Sequence, residues 1–150
     1  MALRIEIEPI GDKIPLMGEL LRQHWDEIAR NKRLMIVKPD TERYLALDAA
    51  GVILALWAYD DDQLVGYSVN LFSNHLHYAD LFFAQNDVLF IAKPYRNSPL
   101  GLRLIRETEK AAKARGAQMM LWHAKENTPL ALILPRLGCG VQDIVFSKEL

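Results

Sequence analysis

The sequence predicts an α/β (α+β) fold built on one central, mixed but mostly antiparallel sheet flanked by helices. The expected order is β-α-α-β-β-β-α-β-α-β, in a single domain over residues 1–150. Three observations predict it. Two strand-like apolar runs, Val52 to Tyr59 and Leu64 to Phe72, are separated by the polar turn Asp60-Asp61-Asp62-Gln63, the mark of an antiparallel hairpin. A further apolar strand enters a loop punctuated by Pro94, Pro99 and Gly101 and continues directly into an amphipathic helix. At 150 residues, 51% hydrophobic and 25% charged, the chain has the size and composition of one globular domain with its own core.

The elements follow from local pattern. Leu3, Ile5 and Ile7 alternate with Arg4, Glu6 and Glu8, the period of a half-buried strand, and Pro9 to Asp12 ends it. Ile14, Met17, Leu20, Leu21, Trp25 and Ile28 then recur at helical spacing, predicting a first helix from Asp12 to Asn31. Asp40 or Thr41 caps a second helix from Glu42 to Ala50, stopped by Gly51. After the hairpin, Phe82-Phe83 and Asp87 to Ala92 supply the next strand. The helix that follows carries Leu100, Leu104, Ile105, Thr108 and Ala111 or Ala112 on one face and closes at Gly116. Gln118 to Trp122 reads as a short strand, Thr128-Pro129 opens a helix from Leu130 to Leu137, and Val141 to Ser147 reads as a last strand.

Composition excludes several classes. A formal net charge of -1 gives no basic footprint, so no nucleic-acid partner is expected; Arg30-Asn31-Lys32-Arg33 reads as solvated charge at a helix end. The single cysteine, Cys139, excludes an internal disulfide, and without a Cys/His ligand pattern no structural zinc is expected. His75 and His77 share a strand face at a ligand-like spacing, but the sequence fixes no third ligand, so no metal is expected. No apolar run approaches the roughly 20 residues that span a bilayer, and the charged N-terminus is no secretory signal. A cytoplasmic protein without a membrane partner is the expectation.

The strand, loop and helix from Asp87 to Gly116 carry the functional signal. The first amides of a helix lack intrahelical partners and sit at the positive end of its dipole, so a loop aimed there can hold a phosphate or pyrophosphate. Pro99 has no amide to offer. The cradle therefore rests on Asn97, Ser98, Leu100, Gly101 and Leu102. The segment resembles motif A of the GNAT acetyltransferase superfamily, a strand followed by Arg/Gln-x-x-Gly-x-Gly/Ala. Arg96 and Gly101 fit, with Tyr95 before them, whereas Pro99 stands for the first glycine and Leu102 for a small residue. The element order resembles that family over nearly the whole chain, as does Gly66-Tyr67 on the second hairpin strand. Asn127 to Leu130 through Gly138-Cys139 resembles its Asn-x-x-Ala…Tyr-x-x-x-Gly-Phe signature, in a form similar to phage and prophage members.

The resemblance implies acetyl-coenzyme A as co-substrate. It also implies Arg96 and the loop amides on the pyrophosphate, backbone groups of Phe90, Ile91 and Ala92 along the pantetheine arm, and Asn127 in contact with the cofactor, unless Asn127 is only a turn residue. The acceptor is expected to be a primary amine, on a small molecule or a protein, attacked directly in a ternary complex. Two residues are candidates for moving its proton. Asp87 lies on the cofactor strand, and His123 ends the neighbouring strand where a crevice opens. The family's usual general acid is a tyrosine on the last helix; the matching residue here is Leu134, which leaves Tyr95, Tyr78 or water to protonate the thiolate. Pro99, Leu102 and Leu134 together also fit an alternative, a catalytically silent acyl-coenzyme A binding or interaction module. The last strand leaves a sheet edge needing cover, which suggests a homodimer.

Overall fold

The computed structural model describes residues 2–150. Alternation at the N-terminus becomes β1 (Leu3–Ile7), which lies antiparallel to β2 (Ile53–Asp60) with Ile5 opposite Ala58. β2 and β3 (Gln63–Asn74) form the expected hairpin, turned at Asp61, whose φ of 51° is the left-handed conformation that aspartate tolerates. β4 (Phe82–Ile91) pairs antiparallel with β3, and β5 (Met119–Leu121) adds parallel to β4, giving the sheet order β1-β2-β3-β4-β5. The parallel step is the crossover through α3 (Leu100–Ala114).

Two apolar layers sandwich the sheet. Beneath α1 (Ile14–Ile28) and α2 (Thr41–Ala49) lie Ile53, Ala55, Trp57, Tyr59, Tyr67, Val69 and Phe90, joined by Met17 and Leu20. Against α3 lie the alternate residues Leu54, Leu56, Ala58, Val65, Phe72, Ala84 and Ile91, with Leu100, Leu104 and Ala112 from the helix. β2 is covered on both faces, which is why it reads as an unbroken apolar run rather than an alternation. Gly66 permits close strand approach, because a Cβ there would stand 2.6 Å from Ile91 Cδ1 and 2.8 Å from the Phe90 carbonyl oxygen.

Caps act where the sequence places them. The Asp40 carboxylate accepts the Arg43 amide at the start of α2, and Thr128 accepts the Ala131 amide at the start of α4 (Pro129–Ile133). A 3-10 turn over Gly11–Lys13 leads into α1, which ends at Ile28 rather than Asn31. Ala29 is extended there, and the Trp25 indole N–H donates to the Met35 carbonyl, drawing the following loop back against the helix.

One expected element is corrected. Val141 to Ser147 forms no strand; residues 139–150 have no regular structure. A strand exists only where a neighbour completes its ladder, and the tail forms none with β5; its Gln142 and Asp143 instead line a cavity with Met119 and Leu121. Its Glu149 carboxylate is held by the Asn31 amide at 3.0 Å and by the Arg33 guanidinium, across the loop after α1. Val141, Ile144, Val145 and Phe146 are consequently exposed, and the order β-α-α-β-β-β-α-β-α stops at α4. Among the described residues, no helix is long and apolar enough to cross a membrane.

Candidate active site

β4 and β5 pair over only three positions, from Phe83 opposite Met119 to Gln85 opposite Leu121. Beyond them the strands part, at a register irregularity in β4. Val69 faces Val88 but Asn70 faces Asn86, so Asp87 is an extra residue with no partner on β3. Such a bulge bends its strand and re-aims the side chain it carries. Here it presents Asp87, exposed, on the face covered by α2, where the Tyr44 hydroxyl donates to its carboxylate.

A buried polar chain holds this bulge in place. Asn86 Nδ2 bonds Asn70 Oδ1 at 2.9 Å and reaches the carbonyls of Val88, at 3.2 Å, and Val69, at 3.4 Å, on either side of the irregularity. Asn70 Nδ2 bonds Ser68 Oγ at 3.0 Å and the Leu54 carbonyl at 3.1 Å. Ser68 Oγ lies 3.0 Å from Thr108 Oγ1, whose single hydrogen goes to the Leu104 carbonyl at 2.7 Å, making Ser68 the donor between them. All four side chains are buried, and each link is satisfied from the bulge to α3.

The edge of β4 facing away from β3 is open after Gln85. In an antiparallel ladder alternate residues turn both N–H and C=O to the partner. The Ala92 amide donates to the Val65 carbonyl at 2.8 Å, which marks Ala92 and Phe90 as facing β3. Of the three backbone positions expected to meet a pantetheine arm, only Ile91 faces the open edge, and the second is Leu89, which sequence reasoning missed. Even the Ile91 carbonyl is engaged, by Arg96 Nε at 2.8 Å.

Arg96 differs from expectation in the same way. Its guanidinium also bridges to the Glu27 carboxylate of α1 at 2.8 Å and lies 5.1 Å from the centre of the Phe90 ring. It is a strut between the end of β4 and α1, with no free fork directed at the loop. Tyr95 is likewise committed, its hydroxyl donating to Asp60 at 2.8 Å and fixing the loop to the β2–β3 hairpin.

Loop amides separate into used and free. Those of Tyr95, Arg96 and Ser98 bond the carbonyls of Ala92, Lys93 and Tyr95, and that of Leu100 is 3.3 Å from Ser98 Oγ. Asn97, Gly101 and Leu102 are left with amides that have no protein partner among the described residues. Three of the five expected donors are therefore free, Gly101 and Leu102 in the first turn of α3 at the positive end of its dipole and Asn97 in the loop before it, and such free amides suit an anion such as pyrophosphate.

The remaining candidates lie further out. His123 follows β5, is exposed and has no hydrogen bond among the described residues. Asn127 is exposed at a φ of 60°, the left-handed turn conformation, immediately before the Thr128 cap. Leu134 is buried in a 3-10 turn after α4. Exposed Tyr78 lies against His75 with ring centroids 4.8 Å apart and planes tilted by 42°, in a cluster where the His75 and His77 rings are 5.8 Å apart; no three potential metal ligands come together among the described residues.

His24 of α1 was not expected near the site. Its ring stacks on Phe90 with centroids 5.0 Å apart. Burial, above all, lowers its pKa, with Glu27 opposing and Arg96 and Lys125 reinforcing. A base depressed in the folded state binds fewer protons folded than unfolded. Stability is thus kept above its ordinary value of 6.5 and lost as pH falls below it. His24→Phe, which keeps the stack, is expected to flatten the fall in melting temperature between pH 6.5 and about 5, measured by thermal melts; parallel slopes in both proteins would remove His24 from the pH response.

Comparison with known proteins agrees with this architecture. The family model described as acetyltransferase (GNAT) family matches residues 18–138. No curated protein matches the chain by sequence. Among solved structures, an aminoglycoside acetyltransferase from an uncultured soil metagenomic sample superposes with a TM-score of 0.77 at 18% identity, over 100% of this chain and 99% of that one. A ribosomal-protein-alanine N-acetyltransferase from Brucella melitensis biovar Abortus 2308 gives 0.74 at 15% identity, over 99% of each chain. Glucosamine-6-phosphate N-acetyltransferase from Arabidopsis thaliana gives 0.74 at 13%, again over 99% of each. At these identities the likeness is one of fold.

Proposed function

This chain belongs to the acetyltransferase (GNAT) family and is an N-acetyltransferase of that type, and from this premise we propose that it moves an acetyl group from acetyl-coenzyme A to a primary amine by direct attack in a ternary complex. The observation that carries the reading is the bulge at Asp87. It sets an exposed carboxylate beside the one stretch of β4 whose backbone edge is open, two residues from Leu89 and one loop away from the free amides of Asn97, Gly101 and Leu102.

Roles follow from this placement. The three amides hold the pyrophosphate, and the open edge at Leu89 and Ile91 lines the pantetheine arm as a peptide lines a sheet edge. Arg96 keeps the loop and α1 in register through Glu27, and pairs with the diphosphate only by giving up that bond. Bound acetyl-coenzyme A supplies the activated thioester, and the net change exchanges its C–S bond for a C–N bond, releasing the thiol and one proton. Asp87 takes that proton from the ammonium, leaving the nitrogen lone pair free. With Leu134 buried and aliphatic and Tyr95 bonded to Asp60, no tyrosine stands in the family's position for protonating sulfur, and water serves.

A thiol-release assay with acetyl-coenzyme A and matched primary amines and alcohols tests the proposal. Thiol release with amines and none with alcohols is expected. Tight cofactor binding without release across the amine panel would favour the silent binding module instead.

A further inference from the structure

Two tyrosines from different elements pack on the sheet face to which the bulge turns Asp87, and one of them has an unanswered hydroxyl. Tyr67 of β3 is fully buried between Trp57 and Phe90, with ring centroids 6.4 and 6.0 Å away, yet its hydroxyl has no hydrogen-bond partner among the described residues. Leaving a buried polar group unpaired costs about 1–3 kcal/mol, so such an atom asks for a ligand. Tyr44 reaches the same place from α2 and spends its hydroxyl hydrogen on Asp87. Asp87 forms no ion pair among the described residues, although five ion pairs are found elsewhere among them. An accessible carboxylate met by a neutral phenol, in an apolar wall and without a cation, is electrostatically incomplete.

We propose that Asp87, Tyr44 and Tyr67 form the seat for the acceptor's primary ammonium group, an inference that rests on the acetyl-transfer reading and names the atoms that select its substrate class. A primary ammonium offers three N–H donors and one positive charge, matching one carboxylate and two phenol oxygens. An alcohol offers one donor and no charge. A quaternary ammonium offers charge without donors, and a guanidinium does not give up its proton in a protein. In the free protein the Tyr44 hydrogen stands where the ammonium belongs; a phenol accepts as well as donates, so the incoming N–H displaces that hydrogen from Asp87 and leaves Tyr44 as acceptor. The step is then a simple transfer: one N–H bond of the ammonium breaks, an O–H bond forms on Asp87, and the neutral amine keeps the electron pair.

Burial acts alike on the two tyrosines. It raises the pKa of both tyrosines, first by desolvation and then through their neighbours, so both hydroxyls stay protonated and neutral at the pH of catalysis. Desolvation also lowers the pKa of a bound ammonium, easing its deprotonation.

The test labels the five tyrosine rings of the full chain with 13C and titrates it with propylammonium, tetramethylammonium and butanol while recording ring resonances assigned through Tyr→Phe variants. Saturable shifts of Tyr44 and Tyr67 with propylammonium alone are expected, with affinity weakened roughly 2- to 10-fold by Tyr67→Phe, the worth of one hydrogen bond. Silent tyrosines, or equal shifts with tetramethylammonium, overturn the inference. Titration of the same samples with acetyl-coenzyme A separates the two readings. Cofactor binding beside silent tyrosines removes only the ammonium seat, whereas tyrosine shifts without cofactor binding keep the seat and remove the transferase.

Discussion

Replacing Asp87 with Asn is expected to lower kcat/KM for amine acetylation about 10²- to 10⁴-fold, the usual worth of a positioned general base, while acetyl-coenzyme A affinity stays unchanged. The substitution is nearly isosteric and keeps an oxygen for the Tyr44 hydroxyl, so α2 keeps its anchor and the fold its stability. Only the capacity to take a proton is removed. Initial rates with the best acceptor, alongside a cofactor titration of the same variant, read the two quantities separately. A wild-type rate in Asp87→Asn would transfer the role to another group, and His123, the other candidate and exposed just after β5, would be the next to replace.

The second large effect is expected at Asn86, which touches no substrate. Asn86→Ala removes the amide that reaches the Val69 and Val88 carbonyls and leaves Asn70 Oδ1 buried without its partner. Each buried orphan costs about 1–3 kcal/mol. At about 2–4 °C per kcal/mol for a chain of this size, one such loss lowers the melting temperature by roughly 2–12 °C. Because the bulge relaxes with it, kcat is expected to fall more than KM rises. Thr108→Val, at the far end of the same chain, removes the acceptor for Ser68 and the hydroxyl bond to the Leu104 carbonyl, and is expected to cost less in both stability and rate. Equal activity in Asn86→Ala and wild type, after correction for the unfolded fraction, would mean that the bulge stands without its network.

How legible the site was depends on which interactions the residues record. Periodicity located β1, the hairpin, α3 and the loop after β4, because apolar spacing reports burial on one face and Pro99 and Gly101 mark backbone punctuation. Asp87 became a candidate through the family resemblance rather than through spacing. The bulge that aims Asp87 had only an indirect trace: Ser68, Asn70 and Asn86 are polar residues inside otherwise apolar strands, where satisfied burial requires a network. Tyr44 had none, since its role comes from α2 packing across the sheet onto a residue 43 positions away. At Arg96 the motif position suggests a phosphate ligand, and tertiary packing adds a partner that the sequence did not show, Glu27 within ion-pair distance of the guanidinium. The strand expected at Val141 to Ser147 failed for a related reason. Alternation signals the propensity for a ladder, whereas the ladder itself needs a paired neighbour, and no strand pairs with residues 141–147.

The central claim is that the open β4 edge and the free amides at the start of α3 bind acetyl-coenzyme A. Isothermal titration of the intact chain with acetyl-coenzyme A, coenzyme A and ATP tests it most directly, with Arg96→Glu and its melting temperature measured in parallel. The account predicts one site that takes both coenzyme A species in preference to ATP, because ATP has no pantetheine arm for Leu89 and Ile91 to pair with. Arg96→Glu, with like charges against Glu27 and the diphosphate, is expected to lose that binding while remaining folded. No binding of either coenzyme A species, or a preference for ATP, would contradict it.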